Sequence, residues 1–390
     1  MDSTRPRLPS RTEFLLDALR CSAALLVFLS HWRILLFCDY KFLASPNLLT
    51  RGFYFLTGMG RPSVMLFFVL SGYLVTGSAI RSRDLGRWSV FGYLNQRITR
   101  LSTVLVPALA LCALWDALGL HFRAHGVYDG FILTEALRPQ VAARFTFPIF
   151  IQNLLYLQGV TSPTFGSDDA LWSLAYEFWY YIFLIPLLYI VSKNHAILKL
   201  VAGMLLLAGL VFVGRNIALY SIIWLLGAGV AVLGRTVKGI RSDYSRLGVW
   251  MSAILMAAVL FALRARILPP GFRGDFTLSL SCALFVWMSA RDNRITKPTL
   301  VVGAARNFAG WSYSLYLLHM PLLVLIASFL AGASGQWYPD GRHLFIAVVA
   351  LLVVLAYAYL VSIVTEKRTP ALRSWIEAQF RRVAPELVKI

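Results

Sequence analysis

The stretch EFLLDALRCSAALLVFLSHW, residues 13–32, decides the fold class. It is apolar enough to enter a bilayer, yet it carries Arg20 and His31 with ten uncharged residues between them. An arginine at membrane depth is disfavoured by about 2.5–3.5 kcal/mol on insertion scales, so a compensating environment is expected around it. At about 100° per residue, eleven steps bring the two side chains to within about 20° on the helical wheel and about 16 Å apart along the axis. Asp17, one turn before Arg20, can pair with it. Either the two groups reach toward opposite headgroup layers, or both line a polar cavity; intramembrane ionisable residues favour the cavity.

The rest of the chain repeats the same apolar signature. Of its 390 residues 58% are hydrophobic and only 14% charged, against about 25% charged in ordinary soluble domains, and its mean hydropathy is +0.68. Runs near twenty residues recur at 14–37, 62–80, 101–119, 171–191, 197–214, 217–234, 248–264, 275–290, 311–332 and 343–364. They predict an all-α polytopic membrane protein with about ten transmembrane helices in one bundle. Residues 13–364 are then the membrane domain, 1–12 an N-terminal tail and 365–390 a basic, partly amphipathic C-terminal tail. A further apolar stretch at 145–158 reads as interfacial or re-entrant. Asp17 and Arg20, with no convincing cleavage site, mark the first span as a retained anchor rather than a signal peptide.

The net charge of +19 is distributed in a way that does not suit nucleic acid. With the N-terminus placed inside, about two-thirds of the 37 Lys and Arg fall on the cytoplasmic side, as the positive-inside rule requires, and both termini become cytoplasmic. That basic face also suits an anionic cytosolic ligand. The longest extramembrane segment, 120–170, falls outside and carries His121, Arg123, His125, Asp129, Arg138 and Arg144. Asp168 and Asp169 stand where the helix cap of the fourth span is expected. Cys21, Cys112 and Cys282 lie in spans and Cys38 at an edge, with no C-x-x-C spacing, so neither a disulfide framework nor a metal site is expected.

Glu177, in LWSLAYEFWYY, and His319, in SYSLYLLHMP, are the other ionisable residues deep in spans. Glu177 reaches about the depth of His31 on the same side, which makes it a candidate to orient and activate that imidazole; a packing glutamate bonded to Ser173 or Trp172 is the plainer alternative. His319 sits near mid-depth beside Pro321, a residue that frees a backbone carbonyl, and structural and functional roles weigh equally for it. Ser71-Gly72, in FFVLSGY, reads first as close helix packing and second as part of a substrate path. Arg97 and Arg100, one turn apart at the start of span three, serve either as anchors or as a clamp for phosphate groups.

Together these segments resemble the membrane-bound acyltransferase family 3. The resemblance rests on Arg20 and His31; on Phe67, Phe68, Ser71 and Gly72; on Arg97 and Arg100 followed by Pro107; on Trp172, Ser173 and Glu177; on Tyr313, Tyr316, His319 and Pro321; and on Glu366 and Pro370. It runs from about residue 12 to 370. It implies O-acylation of a cell-surface glycan or lipid-linked sugar in the bacterial inner membrane. The co-substrate is then an acyl-coenzyme A, with acetyl-coenzyme A the first expectation, and no cofactor is bound. Within that reading Arg97 and Arg100 hold the donor phosphates, and His31, oriented by Glu177, acts as base. Arg20 stabilises the oxyanion or holds the donor; His319, Ser71, Tyr313, Trp172 and Ser173 are further catalytic or substrate-binding candidates. Some relatives carry a periplasmic hydrolase-like extension; none is expected here, so either the membrane domain acts alone or a separate periplasmic partner assists. The rival function is a transporter or flippase for a lipid-linked sugar, which would show paired halves with broken helices.

Overall fold

The computed structural model describes residues 11–122, 128, 140–192, 195–236, 242–291, 299–331 and 335–383. Of the features expected above, residues 1–10 and 384–390 of the tails, and Arg123, His125, Asp129 and Arg138 of the outer segment, lie outside the described residues. The helices are α1 (Arg11–Leu36), α2 (Leu48–Leu56), α3 (Gly60–Asp84), α4 (Val90–His121), α5 (Val141–Arg144), α6 (Phe147–Leu154) and α7 (Trp172–Ile190). They continue as α8 (Ala196–Thr236), α9 (Ser242–Arg264), α10 (Phe272–Ser289), α11 (Leu300–Ala309), α12 (Ser312–Leu330), α13 (Gly341–Val364) and α14 (Thr369–Val383). Among the described residues there is no strand, only the isolated bridges Phe37–Trp337 and Gln158–Ser162.

The protein is an all-α polytopic membrane protein: among the described residues, eight helical stretches are long and apolar enough to cross a bilayer. These stretches account for nine of the ten expected spans, because the expected fifth and sixth both lie in α8, where Gly214 (φ 77°, ψ 172°) separates two helices. The expected eighth is α10, whose Arg273 and Asp275 make its opening turn too polar for a lipid-spanning run. The stretch at 145–158 forms the short helix α6.

The chain divides into two compact units, one of residues Met1–Leu25, Arg61–Leu85 and Tyr220–Ser312, the other of Leu26–Gly60, Gly86–Leu219 and Tyr313–Ile390. In the first, α9 packs on α10, and α3 meets the second half of α8 backbone to backbone. A Cβ on Gly72 would lie 2.0 Å from the Trp224 carbonyl oxygen, and one on Gly227 1.9 Å from that of Val69, so only glycine fits at either position. Beside them the Trp224 indole N–H donates to Ser71 Oγ at 3.2 Å. Ser71-Gly72 is therefore a packing element of this unit.

The second unit is organised around α4, against which α6, α7 and α14 pack. The half of α1 beginning at Leu26 buries Val27, Phe28, Trp32, Leu35 and Leu36 here, and the Trp32 indole N–H donates to the Ala347 carbonyl of α13 at 2.7 Å. The segment leading into α7 is tied to α4 by Asp116, which accepts from the Ser167 N–H and hydroxyl at 2.7 Å each and from Tyr128 Oη–H at 2.9 Å. Asp168 and Asp169 do not cap α7, contrary to expectation: neither Leu171 at its N-cap nor Asp168 ahead of the preceding turn makes a side-chain cap bond. They turn inward instead, toward the buried Arg144. Asp169 lies 3.7 Å from its Nη1, and Thr164 Oγ1 accepts from the same nitrogen at 3.0 Å. Burial, with Asp116 and Asp169 close by, holds the Asp168 carboxyl well above the usual carboxylate range. Burial likewise pulls the Arg144 guanidinium below its ordinary value.

Candidate functional site

Within the second unit, α1 and α12 bring His31 and His319 together. His31 Nδ1 lies 2.8 Å from His319 Nε2, and the rings stack at 5.1 Å between centroids with an 11° interplanar angle. The other nitrogen of His319, Nδ1, lies 2.9 Å from the Leu315 carbonyl oxygen one turn earlier on α12. A carbonyl can only accept, so Nδ1 of His319 carries a proton. For a neutral ring, Nε2 then has the lone pair and accepts from His31 Nδ1–H, which leaves His31 Nε2 as the unprotonated nitrogen of the pair. His319 is fully buried, with Phe28 edge-on at 5.6 Å and Tyr316 at 6.2 Å. His31 is half-buried. One imidazole is locked inside and orients the other.

The expectation that Glu177 orients His31 is not what the geometry shows. Glu177 accepts a hydrogen bond from Tyr181 Oη–H, one turn along α7, whereas the hydrogen bond of His31 runs to His319. Matching depth put Glu177 and His31 in one layer of the membrane, but depth carries no information about which way each helix turns its face. Ser173, one turn before Glu177 on α7, meets Tyr316 of α12 with 2.6 Å between hydroxyl oxygens. Trp172 packs edge-on to Tyr176 at 5.1 Å.

A basic group on α4 lies beside α12. Arg100 stands 5.9 Å from the Tyr313 ring centroid, with the carboxylates of Glu366 and Glu177 within electrostatic reach. It makes no direct hydrogen bond among the described residues. Tyr313 Oη–H donates to the Leu101 carbonyl at 3.1 Å, fixing α12 to α4. Glu366 accepts from both the backbone N–H and the hydroxyl of Ser314 at 2.9 Å each. Arg97 is buried, its guanidinium 5.7 Å from the Tyr93 ring and 5.8 Å from the Tyr181 ring. Its Nη2 donates to Gln96 Oε1 at 3.1 Å.

Polar groups thus follow one another through the unit. They run from His31 and His319, past Tyr316 and Ser173, to Glu177 and Tyr181, and on to Arg100, Tyr313 and Glu366. Ser173 to Tyr181 alone spans about 12 Å of α7.

Arg20 belongs to the first unit and is described there. It pairs with Asp17 at 3.7 Å, as the spacing predicted, and its Nη2 reaches the Ala309 carbonyl at 3.5 Å. That unit also holds a cluster the sequence reading did not select. Arg61 donates to Asp275 Oδ2 from Nε at 3.0 Å and from Nη2 at 2.9 Å, and Tyr220 Oη–H donates to the same oxygen at 2.8 Å. The sequence held one usable signal for it. By the alternation of spans, Arg61 and Asp275 stand at span ends on the same side with opposite charge.

Residues 14–366 match the family model described as an acyltransferase domain. No curated protein and no solved structure matches the chain.

Proposed function

Since the chain belongs to the membrane-bound acyltransferase family 3, we propose that it moves an acyl group, acetyl in the first instance, from a cytosolic acyl-coenzyme A to a hydroxyl of an extracytoplasmic glycan or lipid-linked sugar. The observation that carries the mechanism is the His31–His319 hydrogen bond with its anchor on the Leu315 carbonyl. His31 Nε2 takes the proton of the acceptor hydroxyl, and the oxygen attacks the thioester carbonyl. The carbon–sulfur bond then breaks, the imidazolium returns its proton to the departing thiolate, and an ester remains. His319 keeps His31 in the tautomer and orientation this needs. Arg100, with no direct hydrogen bond among the described residues, and Arg97 are the groups suited to the donor's phosphates. Tyr316 and Ser173 lie between that basic end and the histidines, along the line the donor's long pantetheine arm would follow. Arg20 enters as a charge held on α1 by Asp17, and no step is assigned to it.

The protein is a multi-pass membrane protein. The Lys and Arg distribution supports a bacterial inner membrane with both termini cytoplasmic, and a separate periplasmic partner is compatible with this scheme. The test is incubation of membranes containing the protein with acetyl-coenzyme A labelled in the acetyl group. Label covalently attached to a glycan or lipid-linked sugar, and lost with His31→Ala at unchanged protein level, is the expected result. Movement of a sugar lipid across the bilayer without any covalent label would point to a flippase and contradict the proposal.

A further inference from the structure

The helix α13 is 24 residues long, about 36 Å at helical rise, enough to cross a hydrocarbon core of about 30 Å. Its last turns expose Leu360, Ile363 and Val364. The path then breaks at Thr365 (φ −114°, ψ −90°), so the segment after it, Glu366–Arg368 and α14, starts at a membrane–water boundary. One face of α14 is occupied: Phe380 meets Phe91 of α4 at 4.7 Å between centroids, and Asn95 donates to the Arg373 carbonyl at 3.4 Å. A second face is apolar and open. Leu372, Trp375 (60% exposed) and Val383 (84% exposed) fall within about 80° of one another on the wheel. The segment carries Lys367, Arg368, Arg373, Arg381 and Arg382 against Glu366 and Glu377; Glu366 is engaged by Ser314 and Glu377 is paired with Arg381 at 2.7 Å.

An apolar stripe with tryptophan beside a surplus of arginine matches a surface of acyl chains beneath anionic headgroups. A free nucleotide phosphate would need the arginines but not the stripe. The same segment reaches the candidate site. Glu366, three residues before α14, holds the Ser314 N–H and hydroxyl and lies within electrostatic reach of Arg100.

We infer that α14 is an interfacial helix that docks on anionic phospholipid, and that this docking seats Glu366 against Ser314 and so sets the field at Arg100. The second half of the inference rests on Arg100 serving the acyl donor as proposed above; the first half does not.

The experiment compares the full chain with Lys367→Gln/Arg368→Gln/Arg382→Gln, in vesicles of phosphatidylcholine alone or with one-third phosphatidylglycerol. The wild type is expected to retain phosphatidylglycerol over phosphatidylcholine after extraction, read by native mass spectrometry. Its acyl transfer should rise several-fold with the anionic lipid. The triple variant is expected to lose both the retention and the rise while keeping the wild-type rate in phosphatidylcholine. Equal retention by the two proteins would overturn the docking, and a wild-type rate indifferent to phosphatidylglycerol would overturn the coupling. Retention lost in the variant, with no transfer by either protein in any lipid, would leave the docking standing and contradict the proposed function instead.

Discussion

A polar cluster in the first unit and one in the second are built in opposite ways. In the first, Asp275 receives three hydrogen bonds on one oxygen from Arg61 and Tyr220, Arg20 leans on Asp17 and a carbonyl, and the glycine-mediated contact between α3 and α8 leaves no space for a methyl group. Its charges compensate one another, as buried ionic groups must. In the second, His31 is bonded through one ring nitrogen and half-buried, and Arg100 stands among carboxylates and tyrosines with no direct hydrogen bond among the described residues. Saturated polar groups hold helices together, whereas polar groups oriented on one side and open on the other are equipped for chemistry. In the proposed function the first cluster is scaffold and the second is the seat of acyl transfer.

That contrast breaks most readily at His31. Replacing it with glutamine keeps a polar side chain but removes the base, and transfer should fall by about 10²–10⁴-fold, with thermal stability in detergent close to wild type. Full activity would end the assignment. The positioning residue comes next. His319→Ala removes the acceptor that fixes the tautomer of His31, and kcat should drop by about 10–100-fold with little change in KM for the donor. His319→Gln, which keeps an acceptor, should recover part of that loss. A purely structural His319 would instead lower the protein level in both variants alike.

In the scaffold the opposite pattern is expected. Gly72→Val drives a side chain into the Trp224 carbonyl and should destabilise the protein by about 1–3 kcal/mol, seen as a lower unfolding temperature. Activity per folded molecule should be preserved. A selective loss of activity at unchanged stability would return Ser71-Gly72 to the substrate path.

Much of this was legible because lipid imposes simple demands. A span must be apolar for about twenty residues, so the helices could be read from hydropathy, and any ionisable residue within one stood out. His31, Glu177 and His319 were each found that way, whereas Arg97 and Arg100 were found by their spacing at the cytoplasmic start of a span. What could not be read was partnership. His31 and His319 are 288 residues apart, and their meeting depends on how α1 and α12 are rotated, which hydropathy does not encode. Asp168 failed for a related reason. A capping rule assumes that nothing better is within reach, whereas here Asp169 pairs with Arg144, 25 residues earlier, and Asp168 is buried beside it.

The smallest effect follows from that pair. Asp168 holds its proton more tightly folded than unfolded, because burial disfavours the carboxylate. Its stabilising contribution is therefore fully present below the ordinary carboxylate range of about 3.9 and is lost as pH rises toward the folded value. Asp168→Asn should raise the unfolding temperature near pH 8 by on the order of 1–2 °C, and the gain should shrink toward pH 4. A gain that grows toward acid would contradict the buried, protonated state.

The central claim is the proton arrangement in the histidine pair, and nitrogen NMR of histidine-labelled protein reads it directly. The chain has six histidines, and the His31→Gln and His319→Gln variants assign the two signals. At neutral pH both rings should carry their proton on Nδ1, and the His31 signal should shift toward a mixture of tautomers when His319 is replaced. A His31 ring protonated on Nε2, or one indifferent to the loss of His319, would contradict the account.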